Sequence, residues 1–310
     1  MKLRPGIYAA QIVPYDAEGR VKTKELAALV ERSVVRGRMD GLYIGGSTGE
    51  NFLNDAEAKR AVLETCAAAA AAASAKLGGP KVSLIAQIGS LNVREAESLG
   101  KLAAGLGYDA VSAVTPYYYK FSFAETREYY VRLAEAAGLP MLVYSVPALT
   151  GTSFDLDQTK KLYEHPLVAG FKYTSGDLFT MERLVKAFPD RLVFSGYDEL
   201  LLCGRALGAY GAIGSTYNLF APLARRVWEA TGEGRLAEAR EAQGELNDAI
   251  QELASLGLYQ AIKEILAAEG IEAGDCLPPF GKLQPEAREK ARNLGKRFAD
   301  KGISIPRAGA

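Results

Sequence analysis

Gly211-Ala212-Ile213-Gly214-Ser215-Thr216 decides the fold, because it is the eighth short apolar run in a chain that alternates regularly along its length. Working back from it, the same kind of run recurs at 192–198, 168–174, 141–147, 110–116, 82–89, 41–46 and 7–14. Each is short, apolar and rich in Val, Ile, Tyr or Ala, the pattern of a strand covered on both faces. Helical patterns fill the intervals at 23–36, 55–75, 93–106, 123–137, 155–163, 180–188, 199–207 and 221–231. An open doubly wound sheet also alternates, but it usually stops at about six strands. Eight strand–helix units predict an α/β protein of the (β/α)8 TIM-barrel type.

Beyond residue 231 the pattern turns all-helical, with helices expected at 235–254, 258–269 and 285–300. The chain is therefore divided into a (β/α)8 barrel over 1–232 and a C-terminal helical extension over 233–310, packed on the barrel. The run of alanines at 67–73 has high helix propensity and side chains small enough for close packing. It is too short to span a bilayer and reads as a barrel helix.

Composition narrows the function. The 310 residues are 48% hydrophobic and 24% charged, and 37 Lys and Arg balance 37 Asp and Glu. A dedicated nucleic-acid or anionic-membrane binder needs a basic surface, so neither partner is expected. The single histidine, His165, lies in a loop-like Tyr-Glu-His-Pro segment and reads as solvated. Cys66, Cys203 and Cys276 are far apart, which supplies neither a zinc ligand set nor a disulfide framework and suits a reducing, cytoplasmic setting. Residues 1–5 contain no apolar signal-peptide core. Gly232-Glu233-Gly234-Arg235-Leu236-Ala237 nominally fits a dinucleotide fingerprint, but it follows a helix instead of a strand, so no cofactor is expected there.

Barrels of this kind carry chemistry at the C-terminal ends of their strands. There the chain places Gly45-Gly46-Ser47-Thr48-Gly49-Glu50, Thr115-Pro116-Tyr117-Tyr118-Tyr119, Tyr144, Lys172 and Thr174, Gly196-Tyr197-Asp198-Glu199 and Ser215-Thr216-Tyr217. Period-two alternation puts Val168, Gly170, Lys172 and Thr174 on one face, with Phe171 and Tyr173 on the other. A lysine inside a barrel is costly as an ammonium. The same burial lowers its pKa and exposes a free amine, as a Schiff-base nucleophile requires. The competing reading is a lysine that snorkels or pairs with a buried acid. Tyr144, one strand away, could pass protons or polarise a carbonyl. The Gly-Gly-Ser-Thr-Gly turn offers amides and hydroxyls to an anion, carboxylate or phosphate alike. It is not a Walker A loop, since no Lys follows its last Gly.

Together these motifs, spread over nearly the whole chain, resemble the pyruvate-dependent class I aldolase family that includes dihydrodipicolinate synthase and N-acetylneuraminate lyase. The residues that carry the resemblance are Gly-Gly-Ser-Thr-Gly-Glu at 45–50, Thr-Pro-Tyr-Tyr at 115–118, Tyr-Ser-Val-Pro at 144–147, and Lys172. Synthases typically have an arginine shortly after that last proline. Here Pro147-Ala148-Leu149-Thr150-Gly151 has none. The segments at 172–178 and 196–199 likewise resemble the branch that acts on sialic acid. Ser145 stands where many relatives have Asn, and Tyr173 is variable in the family.

The resemblance implies reversible cleavage of N-acetylneuraminate to N-acetylmannosamine and pyruvate, without metal or cofactor. It implies Lys172 as nucleophile, Tyr144 as proton shuttle, and Ser47, Thr48 and Tyr118 as the supporting relay, with Ser47 and Thr48 also gripping the substrate carboxylate. Tyr118 would reach in from a neighbouring subunit of a homotetramer. Sugar contacts fall by motif to Thr174, Gly196, Asp198, Glu199 and Ser215, with Tyr259 on the N-acetyl side. The alternative within the family is a 2-keto-3-deoxy sugar acid aldolase or dehydratase using the same lysine.

Overall fold

All eight apolar runs become parallel strands in the computed structural model, which describes residues 3–79 and 81–306. They are β1 Gly6–Ala10, β2 Gly41–Ile44, β3 Ser83–Gln87, β4 Ala110–Val114, β5 Met141–Ser145, β6 Val168–Tyr173, β7 Leu192–Ser195 and β8 Gly211–Gly214. Each pairs with the next, and β8 pairs with β1, which closes the barrel. Every strand ends one to four residues before the apolar run does. The ladder stops where the chain turns outward, so the last residues of each run form the rim.

Five of the helices begin at a capping side chain. The barrel's own are α1 Thr23–Glu31, α2 Ala56–Leu77, α3 Val93–Gly105, α4 Phe123–Ala137, α5 Pro147–Thr150, α6 Leu156–Tyr163, α7 Leu178–Ala187, α8 Leu201–Ala206 and α9 Tyr217–Gly232. Asp55 accepts from the Ala58 N–H at 2.8 Å to start α2, and Ser122 with Glu125 forms a full capping box on α4. Two helical features were not legible. α1 runs on into a π-turn at Arg32–Arg36, and α5 is a single turn opened by Pro147. His165 is half-buried, with Nε2 3.3 Å from Glu135 Oε1, so its expected solvation is corrected.

The helices α10 Leu236–Leu256, α11 Leu258–Ala268 and α12 Pro285–Asp300 lie against the barrel. Buried contacts join them to it: Arg32 to Glu269 at 2.6 Å, and the Ile305 N–H to the Leu219 carbonyl at 2.7 Å. Residues 1–2, 80 and 307–310, which the expected barrel and extension include, lie outside the described residues. No helix among the described residues is long and apolar enough to cross a membrane.

Two apolar layers result. The larger lies between strands and helices, and the smaller fills the barrel with Tyr8, Tyr43, Ile85, Leu142, Leu192, Phe194 and Ile213. One expected position is corrected. Val168 belongs to the outer layer and Ala169 to the interior, because the β5–β6 register passes from Met141↔Val168 to Leu142↔Gly170. The extra residue resets the alternation. From Gly170 onward the inward face follows expectation, and Lys172 pairs with Tyr144 and Phe194.

Interior space is tight enough to dictate glycine. A Cβ on Gly170 would lie 1.9 Å from the Leu192 carbonyl oxygen, a backbone atom that cannot swing aside. Gly170→Ala is therefore expected to destabilise the fold by about 1–3 kcal/mol, seen as a lower denaturant midpoint. An unchanged midpoint would mean that β6 and β7 separate freely.

Candidate active site

Lys172 is 4% exposed at the C-terminal end of β6, with Nζ 3.9 Å from the centroid of the Tyr144 ring and 4.1 Å from that of Tyr43. Burial holds its pKa below the ordinary lysine value, while the Tyr144 phenol and the Asp198 charge partly oppose the shift. The ring faces offer the ammonium cation–π attraction but no full countercharge. A neutral amine is thus cheap to reach, and a neutral amine is a nucleophile.

The two rings are held separately. Tyr43, on β2, packs edge-on to Tyr144 at 6.0 Å, and its hydroxyl donates to Ser112 Oγ at 3.1 Å. Complete burial pushes the Tyr43 phenol well above its usual range, so it stays protonated. Tyr43 was missed in the sequence, although the alternation of Gly41-Leu42-Tyr43-Ile44 places it on the inward face.

The glycine-rich segment makes a 3₁₀ turn over Ser47–Gly49 directly after β2. Ser47 Oγ lies 3.4 Å from the Tyr144 hydroxyl, and Thr48 Oγ1 lies 2.6 Å from Ser215 Oγ. The first amides of a helical turn have no partner within it. The Ser47 and Thr48 hydroxyls thus stand on a turn whose first amides are free of intra-turn bonds, an arrangement that suits an anion.

On the opposite side, Asp198 Oδ2 accepts from the Thr216 N–H at 2.8 Å and its hydroxyl at 2.6 Å. Burial outweighs those two donors and pushes the carboxyl up to about 6. Gln243 of α10 donates to the Asp198 carbonyl at 3.1 Å. The rim position of Thr216 was legible in the sequence, but its pairing with Asp198 and the contact from Gln243 were not, since only the closed barrel brings these residues together. Thr174 Oγ1 is buried with no partner among the described residues, and a Cβ on Gly196 would come within 2.0 Å of it. Glu199 is exposed at the rim. The Tyr259 phenol of α11 is pushed up to about 12, chiefly by burial and further by Tyr144 and Asp198, against a hydrogen bond with Ser215.

One expected residue is absent from this group. Tyr118 is 84% exposed at φ +76°, its ring edge-on to Tyr119 at 5.0 Å. Within one chain it does not join Lys172. The neighbouring Tyr117 is the ring that turns toward the barrel interior. Among the described residues no cluster of three or more His, Cys, Asp or Glu is placed to hold a metal ion.

Chemically, the site presents an amine of lowered basicity under a phenol, a hydroxyl 3.4 Å from that phenol, and further polar groups around the rim. The profile of the dihydrodipicolinate synthetase family matches residues 4–297. N-acetylneuraminate lyase of Fusobacterium nucleatum is 44% identical over 293 residues, covering 94% of this chain and 98% of that protein. The crystal structure of that species' lyase complexed with pyruvate superposes with a TM-score of 0.88 at 42% identity, over 96% of this chain and 97% of the other. The crystal structure of CdNal from Clostridium difficile in complex with mannosamine gives 0.90 at 39% identity, over 95% and 99%.

A lysine whose pKa falls on folding makes the unfolded state bind more protons between the two pKa values, so stability attributable to it rises with pH toward 10.5. Lys172→Met is therefore expected to raise the denaturant midpoint at neutral pH, and to raise it less at pH near 10. A gain that grew with pH would mean that the amine is charged and paired in the folded protein.

Proposed function

The chain belongs to the dihydrodipicolinate synthetase family, and from that premise we infer a Schiff-base aldolase, a carbon–carbon lyase that reversibly cleaves N-acetylneuraminate to N-acetylmannosamine and pyruvate. The observation that carries this reading is the buried Lys172 amine between the Tyr43 and Tyr144 rings, with the Ser47–Thr48 turn beside it.

In this reading Lys172 Nζ attacks the C2 ketone of the open-chain acid, and Tyr144 gives its phenol proton to the departing hydroxyl, so that loss of water leaves a protonated imine beside a tyrosinate. Ser47 and Thr48, with their amides, hold the C1 carboxylate. Tyr144 takes the C4 hydroxyl proton as the C3–C4 bond breaks, its electron pair moving into the imine to give an enamine. N-acetylmannosamine leaves as the aldehyde. Protonation at C3 and hydrolysis then release pyruvate and restore the amine. The Ser47 hydroxyl extends the proton path from Tyr144, with Thr48 and Ser215 behind it. Thr174, Gly196, Asp198, Glu199 and Ser215 take the sugar hydroxyls, and Tyr259 the N-acetyl side. A site of such donors and acceptors rejects sugars that leave them unpaired.

The same reading assigns Tyr118 to the site of a second copy of the chain, in a homotetramer. Its exposure at positive φ supports this, as does the run of exposed aromatics through Tyr119 and Phe121. Three free cysteines suit a cytoplasmic setting.

Lys172→Ala is expected to abolish turnover and the borohydride-trapped pyruvate adduct. Tyr144→Phe should lower kcat by roughly 10²–10⁴-fold and leave adduct formation possible. Pyruvate release from N-acetylneuraminate is the assay, and glyceraldehyde outperforming N-acetylmannosamine in condensation would overturn the sugar assignment. Mixing Lys172→Ala with an inactive Tyr118→Phe chain should restore partial activity in mixed assemblies. Failure to restore any would place Tyr118 outside the neighbouring site.

A further inference from the structure

The turn bearing Ser47 and Thr48 closes on Glu50, a residue with a full side chain held at φ +56° and ψ +29°. That left-handed conformation is uncommon outside glycine and needs support from elsewhere. The support comes from the far end of the chain. The Glu50 side chain is 0% exposed, with Oε1 2.6 Å from Nζ of Lys263, itself 1% exposed. Its Oε2 accepts the Leu277 N–H at 2.5 Å. Lys263 also donates to the Asp275 carbonyl at 3.1 Å and lies 4.5 Å over the Tyr15 ring. Tyr15 in turn donates to the Gly49 carbonyl at 3.0 Å, and Asn54 donates to the Tyr15 hydroxyl at 2.6 Å.

A fully buried ion pair is a poor stabiliser compared with apolar side chains of similar size. What it does supply is a fixed distance and direction. Lys263 lies on α11 four residues after Tyr259, so both side chains stand on one helix face. One helix thus touches both the turn and the sugar side of the site. Resting on the aldolase reading above, we propose that Glu50 and Lys263 are positioning residues. Their buried pair locks the carboxylate-binding turn onto α11, keeps Ser47 at Tyr144 and Thr48 at Ser215, and so sets the affinity for the keto acid. Neither side chain touches the reacting atoms.

Three variants of the full chain test this. Lys263→Met is expected to raise the KM for pyruvate in condensation by about tenfold or more, with kcat far less affected. Amide exchange across 46–51 should quicken by about tenfold. Glu264→Gln is the control. It lies on the same helix but pairs with Arg288 and Arg292, so it loosens the extension without touching the turn. Both KM and exchange at 46–51 should stay at wild-type values. The double variant Glu50→Gln/Lys263→Met removes both charges. It is expected to recover folding stability while keeping the raised KM, and it carries both measurements should the single variant not fold.

Unchanged exchange at 46–51 in the Lys263→Met or double variant overturns the proposal, as does a wild-type pyruvate KM in the double variant. If wild-type protein forms no pyruvate adduct with borohydride, the aldolase reading fails instead, and the exchange measurement still judges the clamp.

Discussion

An amine inside a closed parallel barrel has few ways to be satisfied, and the way chosen here shapes everything around it. Lys172 stands between two phenol rings instead of against a carboxylate. A close carboxylate would hold the ammonium and quench the nucleophile. Water would do the same by solvation. The rings exclude water and only partly compensate the charge, so burial wins and the pKa falls. The Asp198 charge opposes that fall, and its Oδ2 is committed to the Thr216 amide and hydroxyl.

This arrangement demands a rigid wall. Interior packing supplies it by interlocking large rings with absent side chains: Tyr8 lies where a Cβ on Gly41 would sit, and the Phe194 ring where one on Gly211 would. The buried amine costs the fold stability, and the surrounding layers offset that cost. An active site that opposes stability is a general feature of enzymes.

The helical extension is not a passive cover. Gln243 holds the Asp198 loop, Tyr259 borders Ser215, and Lys263 pairs with Glu50 under the glycine-rich turn. Rim loops are the mobile part of a barrel. Here helices α10 and α11 touch two of them, at Asp198 and at Glu50.

Much of this was readable in one dimension. Strands, helices and the inward direction of Lys172 follow from local periodicity, which side-chain geometry imposes residue by residue. Tyr43 obeyed the same rule and was overlooked only because its run ends in a more conspicuous glycine motif. Val168 broke the rule because a bulge depends on how two strands pair, which neither strand encodes alone. The Thr216–Asp198 and Lys263–Glu50 contacts likewise join distant segments, the second across 213 positions of chain, so no local pattern announces them. Sequence alone determined the barrel, its polar rim and the candidate nucleophile, because those depend on spacing. Tertiary structure alone decided which groups surround the amine, where Tyr118 points and what braces the turn, because burial and contact arise only once the sheet closes.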